Sequence, residues 1–402
     1  MNVSLRGSDG STSIDAVLEL NKDPTKHPRL AKITKSSTSD VSDVLSEIPE
    51  THVIVSTGSG HQAAAVFYDE CISPLLAAVY PQDHQTFHVH TTTSATSVLE
   101  LAITVFFPKA NAGTPLRILL LSGDGGIIDL INGLTTHPSS PSYTAPQTLL
   151  LPLGTANALF HSLNAGNPPT WGIPALTSHR SKPLPLFSVA FSPGARLLVD
   201  EARSEEELAT DPASGHPSLH GAVVCSWGLH ASLVADSDTA AYRKFGVERF
   251  KMAANEALYP ASGSPHVYKA KVSVLRGDAW TALPEQEHLY TLATMVSHLE
   301  QPFCISPRSR PLDGSLHLVH FGPTSGDEAM RLMTLAYQGG KHVEEAAVRY
   351  EAIDGLRIEF EGGEEEGRWR RICVDGKIVR VEKGGWVELR KETRRVLDVV
   401  VA

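Results

Sequence analysis

The chain has 402 residues, 42% of them apolar, and a formal net charge of −10 at pH 7. That length provides for two domains with two cores, and the negative balance excludes a broad nucleic-acid-binding face, which needs a basic footprint. The four cysteines, Cys71, Cys225, Cys304 and Cys373, are too dispersed for a zinc site or a disulfide framework. No apolar signal core opens the sequence and no run reaches bilayer length, so a reducing, cytoplasmic setting with at most peripheral membrane contact is expected.

Residues 1–50, rich in Ser, Thr and Lys, read as a small extension without chemistry, with a strand over Asp15 to Leu20 and a short helix near Val41 to Ile48. Thr51 to Ser56 then forms an apolar strand, followed by a glycine loop and a helical pattern through Phe67, Cys71, Leu75 and Leu76. A second strand over Thr86 to Thr92 precedes a helix over Ala95 to Phe106.

The central stretch is Leu116 to Leu134, in which the strand Ile118 to Leu121 is apolar on both faces, as a buried parallel strand requires. Ile127, Leu130, Ile131 and Leu134 follow at the spacing of one helix face. Ser122-Gly123-Asp124-Gly125-Gly126 is therefore a strand-to-helix loop at the carboxyl edge of a parallel sheet, where ligands bind and glycines let phosphate approach backbone N–H groups. An aspartate there has chemical use as a proton acceptor or facing a metal ion, and as an N-cap it is equally at home. A fourth unit, the strand Leu149 to Leu151, Gly154 and a helix over Thr155 to Leu163, completes a parallel, doubly wound sheet.

After residue 165 the pattern changes to short alternating runs, among them Phe187 to Phe191, Ala222 to Ser226, His266 to Val274, Leu289 to Val296 and Leu316 to Phe321. These are antiparallel-type strands, interrupted by one helical insert over Thr239 to Leu258, and Asp375-Gly376 marks a hairpin turn. The expected domains are an extension over 1–50, a nucleotide-binding domain over 51–165 and a β-rich domain over 166–402.

Gly58-Ser59-Gly60-His61-Gln62-Ala63 fits the dinucleotide fingerprint, but the next strand ends in His90-Thr91-Thr92 where an acid for the ribose is needed. A phosphate-contacting loop of another nucleotide enzyme fits better than a dehydrogenase. His84, His88 and His90 invite a metal reading that no nearby carboxylate or cysteine completes. On spacing alone, Arg243 and Arg249 are solvated helix charges or phosphate-pairing guanidiniums. Trp369, among Arg368, Arg370 and Arg371, reads as a solvated hairpin flank in preference to a contact for an anionic membrane surface.

Taken together, the sequence resembles the diacylglycerol kinase catalytic superfamily, most closely its sphingosine and ceramide kinases. The resemblance rests on SGDGGIIDLINGL, with Asp129 at a glutamate position, on LPLGTANAL, on SWGLH followed by YRKFGVERF, on LDGSLHLVHF and on ICVDGK, in that order. It implies an N-terminal nucleotide-binding domain, a C-terminal antiparallel β-sandwich that holds lipid, and transfer of a phosphoryl group from ATP with Mg²⁺ to a hydroxyl of a sphingoid base or related long-chain lipid at a membrane surface.

By the same resemblance Asp124 is the base that activates the lipid hydroxyl. Ser56, Gly58, Gly60, Thr92, Ser122, Gly123, Gly125, Gly126, Gly154, Thr155, Asn157, Arg243, Arg249 and Asp375 face the nucleotide. Ser232 and Asp236 meet the lipid, and Asp129 is the metal candidate. The first glycine loop lacks the lysines of the family, GSGN has become Gly154-Thr155-Ala156-Asn157, and Lys377 reverses a charge. A catalytically silent lipid- or nucleotide-binding relative is the alternative.

Overall fold

A computed structural model describes residues 1–8, 10–23, 26–37, 49–80, 87–261 and 263–402. The helix expected near Val41 to Ile48 lies outside these residues. Two compact units emerge: the first comprises 1–155, 166–184 and 395–402, the second 156–165 and 185–394. Residues 166–184 and the C-terminal tail, grouped by sequence with the β-rich half, thus belong to the first unit.

The first unit is built on a six-stranded sheet. Its leading strands are β4 (Glu50–Val55), β5 (His88–Thr91), β6 (Leu116–Ser122) and β7 (Gln147–Pro152), in spatial order β5-β4-β6-β7 and all parallel. The tail strand Asp398–Val400 adds parallel to β7, and Ser181–Pro183 closes the edge antiparallel. Every residue of β6 is buried, which explains its unbroken apolar run.

Helices cover both faces. The helix Asp124–Thr135 lies on the Leu120 face, where Gly126 comes within reach of the Leu120 side chain, and Gly133 lets it approach Ala102 of the helical stretch 97–111. On the opposite face Val53, Val55, Leu119 and Leu121 pack with Phe67, Cys71 and Leu75 of the helical segment 64–79.

The extension is more than a tail. Strands β1 (Asn2–Arg6), β2 (Thr12–Glu19) and β3 (Arg29–Ser37) form an antiparallel sheet, and Leu5, Ile14, Ala16 and Leu18 join the same core. Alternation along β2 buries Ile14, Ala16 and Leu18 and leaves Asp15, Val17 and Glu19 outside.

The second unit holds two antiparallel sheets, of eight and six strands, that make a β-sandwich. Trp227 of the eight-stranded sheet stands edge-on to Phe360, which follows a strand of the six-stranded one, with ring centroids 5.4 Å apart. The Asp375-Gly376 turn joins Arg371–Val374 to Lys377–Arg380 with both central residues at positive φ, 47° and 93°.

Two expected helices change shape for backbone reasons. Asn157 adopts a left-handed conformation, φ 52°, so the helix expected from Thr155 starts at Ala158. Gly246 at φ 56° interrupts the insert, leaving Ala240–Arg243 and Glu248–Leu258. The helix Gly326–Ala336, capped by the Ser325 hydroxyl, went unread in the sequence.

Candidate functional site

The strand order reverses direction at β4. The chain runs from β4 outward to β5, then returns to lay β6 on the other side, and at such a switch point the loops at the carboxyl ends part to form a crevice. The loops after β4 and β6 are the two glycine loops.

These loops are stitched together. Ser56 N–H donates to Leu121 O at 3.1 Å, Gly123 N–H to Ser59 Oγ at 3.1 Å, and Leu153 N–H to Ser122 O at 3.0 Å. Thr92 joins from the β5 side, accepting from Thr57 N–H on its Oγ1 at 3.0 Å. Ser56, Thr92 and Ser122 are buried, so their part in the unit is first to hold these loops in place.

The glycines divide into two kinds. A Cβ on Gly60 would lie 2.3 Å from Leu153 O, one on Gly123 2.6 Å from the Gly154 Cα, and one on Gly126 2.4 Å from Ser122 Oγ. These three are required by packing, and at Gly60 a φ of 50° adds a conformational reason. Gly58 and Gly125 instead have nothing within 4 Å of a Cβ position. Open space above a loop and a helix's first turn is the room a phosphate needs to reach backbone N–H groups.

Asp124 is the first residue of the Asp124–Thr135 helix and is half-buried, between packed Gly123 and exposed Gly125. Asp129, one turn further, is buried. Among the described residues no group of three His, Cys, Asp or Glu stands at metal-binding spacing. Gly154 and Thr155 continue the edge, both half-buried.

The imidazoles proved to be a stack. His52 lies 4.9 Å from His88 and 5.2 Å from His90, sharing a 3.0 Å hydrogen bond with His90 and another with Glu50. Burial pulls the His52 pKa down to about 4. His84 lies outside the described residues. Sequence missed His52 because its partners are 36 and 38 positions away on a neighbouring strand.

In the second unit the expected polar residues form ion clusters. Arg243 grips Asp238 with two nitrogens, at 2.9 and 3.0 Å, and Arg249 reaches the same carboxylate at 3.3 Å. Burial lowers the Arg249 pKa, and its Nε has no hydrogen-bond partner.

Asp236 is paired with Arg371 at 2.8 Å and with Arg368 at 3.5 Å. Arg370 and Arg371 are buried, and Arg370 donates to the carbonyls of Glu364, Glu365 and Val381, so the stretch around Trp369 is no solvated flank. Ser232 is buried with its hydroxyl 2.7 Å from Tyr268 Oη. Asp375 accepts from the backbone N–H groups of Ala222, Val223 and Val224 at 2.6 to 3.1 Å, which pins the chain entering the strand Val224–Gly228. That grip is also why this strand begins two residues later than the expected Ala222.

Residues 50–189 match the diacylglycerol kinase catalytic domain family. The chain is similar to sphingosine kinase 1 of Mus musculus, 26% identical over 240 residues that cover 56% of this chain and 62% of the relative. It therefore spans just under two thirds of that relative's length. Sphingosine kinase 1 of Homo sapiens is 22% identical over 293 residues, covering 65% of this chain and 71% of the relative. A solved diacylglycerol kinase structure from Bacillus anthracis str. Sterne superposes with a TM-score of 0.51 at 13% identity, covering 88% of this chain and 97% of that one. This last likeness concerns the fold.

Proposed function

We propose that this chain, a member of the diacylglycerol kinase catalytic domain family, is an ATP-dependent lipid kinase acting on a hydroxyl of a sphingoid base or related long-chain lipid. The observation that carries this reading is Asp124, a carboxylate in the first turn of a helix at the switch point of a parallel sheet, beside open space over Gly58 and Gly125. Asp124 takes the proton of the lipid hydroxyl as its oxygen bonds to the γ-phosphorus, and the bond to the bridging oxygen of ADP breaks. The backbone N–H group at Gly125 receives a phosphate oxygen, while that of Gly126 donates to the Gly123 carbonyl. Arg243 and Arg249 exchange the Asp238 carboxylate for phosphate. Asp129 would be the protein ligand of a Mg²⁺ ion, which would supply charge neutralisation on the transferred group.

Within that class we infer that the preferred acceptor is the related acylated lipid, uncharged around the reacting hydroxyl, over the sphingoid base itself. An ammonium taken from water needs a free negative partner, and Asp236 already answers Arg371 and Arg368. Such a substrate resides in a bilayer, so the proposed site of action is a membrane surface.

Incubation of purified protein with labelled ATP, Mg²⁺ and a panel of sphingoid bases, ceramide and diacylglycerol tests this. Labelled lipid, with the acylated acceptors competing well against sphingosine, is the expected result. Absence of product from every acceptor, with nucleotide or lipid still bound, makes the chain a silent relative.

A further inference from the structure

In the first glycine loop Ser59 has a side chain that neither the packing of the glycines nor the proposed chemistry uses. It lies between Gly58, which stands open, and Gly60, which is packed on Leu153 O. The turn holds its backbone on both sides: Ser59 N–H donates to Ser56 O at 3.2 Å, and Ser59 O accepts from Gln62 N–H at 2.8 Å. Gly60 at φ 50° and Gln62 at φ 58° are both left-handed. A glutamine keeps that conformation where surrounding contacts impose it, so the turn is a fixed one.

From this turn the half-buried Ser59 side chain reaches the loop after β6, 64 positions away, and its Oγ accepts the Gly123 N–H at 3.1 Å. The peptide groups on either side of Gly123 are thereby held. The one before it gives its carbonyl, Ser122 O, to Leu153 N–H at 3.0 Å and its N–H to Ser59, and the one after it gives its carbonyl, Gly123 O, to Gly126 N–H at 3.1 Å. Gly123 is the extended residue from which the chain enters the Asp124–Thr135 helix, and it provides no side-chain cap. The direction of the Asp124 Cα–Cβ bond follows from these two peptide planes. Of the three bonds that fix them, the one to Ser59 is made by a side chain, so a substitution removes it without touching the backbone.

We propose that Ser59 is a positioning residue, whose hydroxyl fixes the Gly123 turn and so aims the Asp124 carboxylate at the acceptor hydroxyl. The proposal rests on the lipid-kinase reading, because aim matters where Asp124 takes a proton. A displacement of about 1 Å in a reacting group can cost about 10²-fold in rate, and a hydroxyl held by a rigid turn on a neighbouring strand is a means of preventing it. The effect of Ser59 on rate passes through Asp124.

The test is a double-mutant cycle of Ser59→Ala with Asp124→Asn, assayed with labelled ATP and detergent-dispersed ceramide, beside amide hydrogen exchange at Gly123. Ser59→Ala is expected to lower kcat by about 10- to 100-fold while the KM for ATP stays within about twofold. Its melting temperature falls by no more than about 3 °C, the scale of one neutral hydrogen bond in a chain of this size. In the Asp124→Asn background the same substitution changes kcat by less than about twofold, because the group it aims is no longer a base. Gly123 exchanges faster in Ser59→Ala, and Leu153 does not. A near-normal kcat in Ser59→Ala, or unchanged exchange at Gly123, overturns the proposal. So does a loss of equal size in both backgrounds, which makes Ser59 a structural stitch, and so does a raised KM for ATP at unchanged kcat, which gives the hydroxyl to the nucleotide. A wild-type chain that phosphorylates no acceptor removes the kinase reading and this one with it, whereas an active chain indifferent to Ser59→Ala removes this one alone.

Discussion

The loop edge around Asp124 and the arginine clusters of the β-rich unit both prepare for charge, by opposite means. At the loop edge the positive character comes from backbone N–H groups at a helix start, and three glycines, Gly60, Gly123 and Gly126, exist because neighbouring backbone or side chains occupy the space of a Cβ. In the β-rich unit the charges are side chains already matched: Arg243 and Arg249 to Asp238, Arg368 and Arg371 to Asp236. Backbone donors carry no countercharge to displace, whereas an arginine held by an aspartate must exchange one partner for another. In the proposed function the first arrangement would give geometry and the second selectivity through the cost of that exchange.

The largest effect separating the two regions is expected from Asp124→Asn, which lowers kcat by a factor of about 10² to 10⁴ while the melting temperature and nucleotide affinity stay close to wild type. Near-normal turnover in that variant would reduce Asp124 to a helix cap. Next, Arg249→Ala raises the KM for ATP by the equivalent of about 1.5 to 3 kcal/mol, and Arg243→Ala acts in the same direction. Unchanged ATP kinetics in both would make them partners of Asp238 and nothing more.

Within the loop edge the glycines sharpen the contrast. Gly123→Ala is expected to cost about 1 to 3 kcal/mol of stability in denaturant titration, because its new Cβ meets the Gly154 backbone. Gly125→Ala, with open space around it, shifts stability by less than about 0.5 kcal/mol yet raises the KM for ATP. If the two variants lost equal stability, the division of the glycines would be mistaken.

The imidazole stack is the exception in the first unit, a side-chain cluster held neutral by burial. His52 has a folded pKa of about 4, below its ordinary 6.5, so the unfolded chain binds its proton first. Stability from this group is fully present above pH 6.5 and is lost as the pH falls toward 4. His52→Phe is expected to flatten the melting-temperature profile across that window, and an unaltered profile would remove the stack from the acid response. The smallest effect is expected from Asp236→Asn, which changes turnover of a neutral acceptor less than twofold, since Asp236 serves Arg371. A large loss on ceramide or diacylglycerol would contradict this.

Much of this was legible in sequence because periodicity and glycine placement are local. The strand through Leu121, the helix through Leu134 and the Asp375-Gly376 hairpin each follow from residues within a few positions of one another. Helix starts failed where one residue took a left-handed backbone, as at Asn157 and Gly246.

The sequence by itself determined the order of the elements, the change from parallel to antiparallel grammar and the position of Asp124 between glycines, because each is written in local spacing. Tertiary structure alone decided which glycines are filled by neighbours and which stand open, since that depends on Leu153 and Gly154 arriving from another strand. It also decided that Asp236 and Asp238 are occupied by arginines, as far as 135 positions away in the case of Arg371. Strands β1 to β3 became a sheet packed on the core of the first unit rather than a bare extension for the same reason: alternation along β2 has no meaning until a helix is there to cover Ile14 and Leu18.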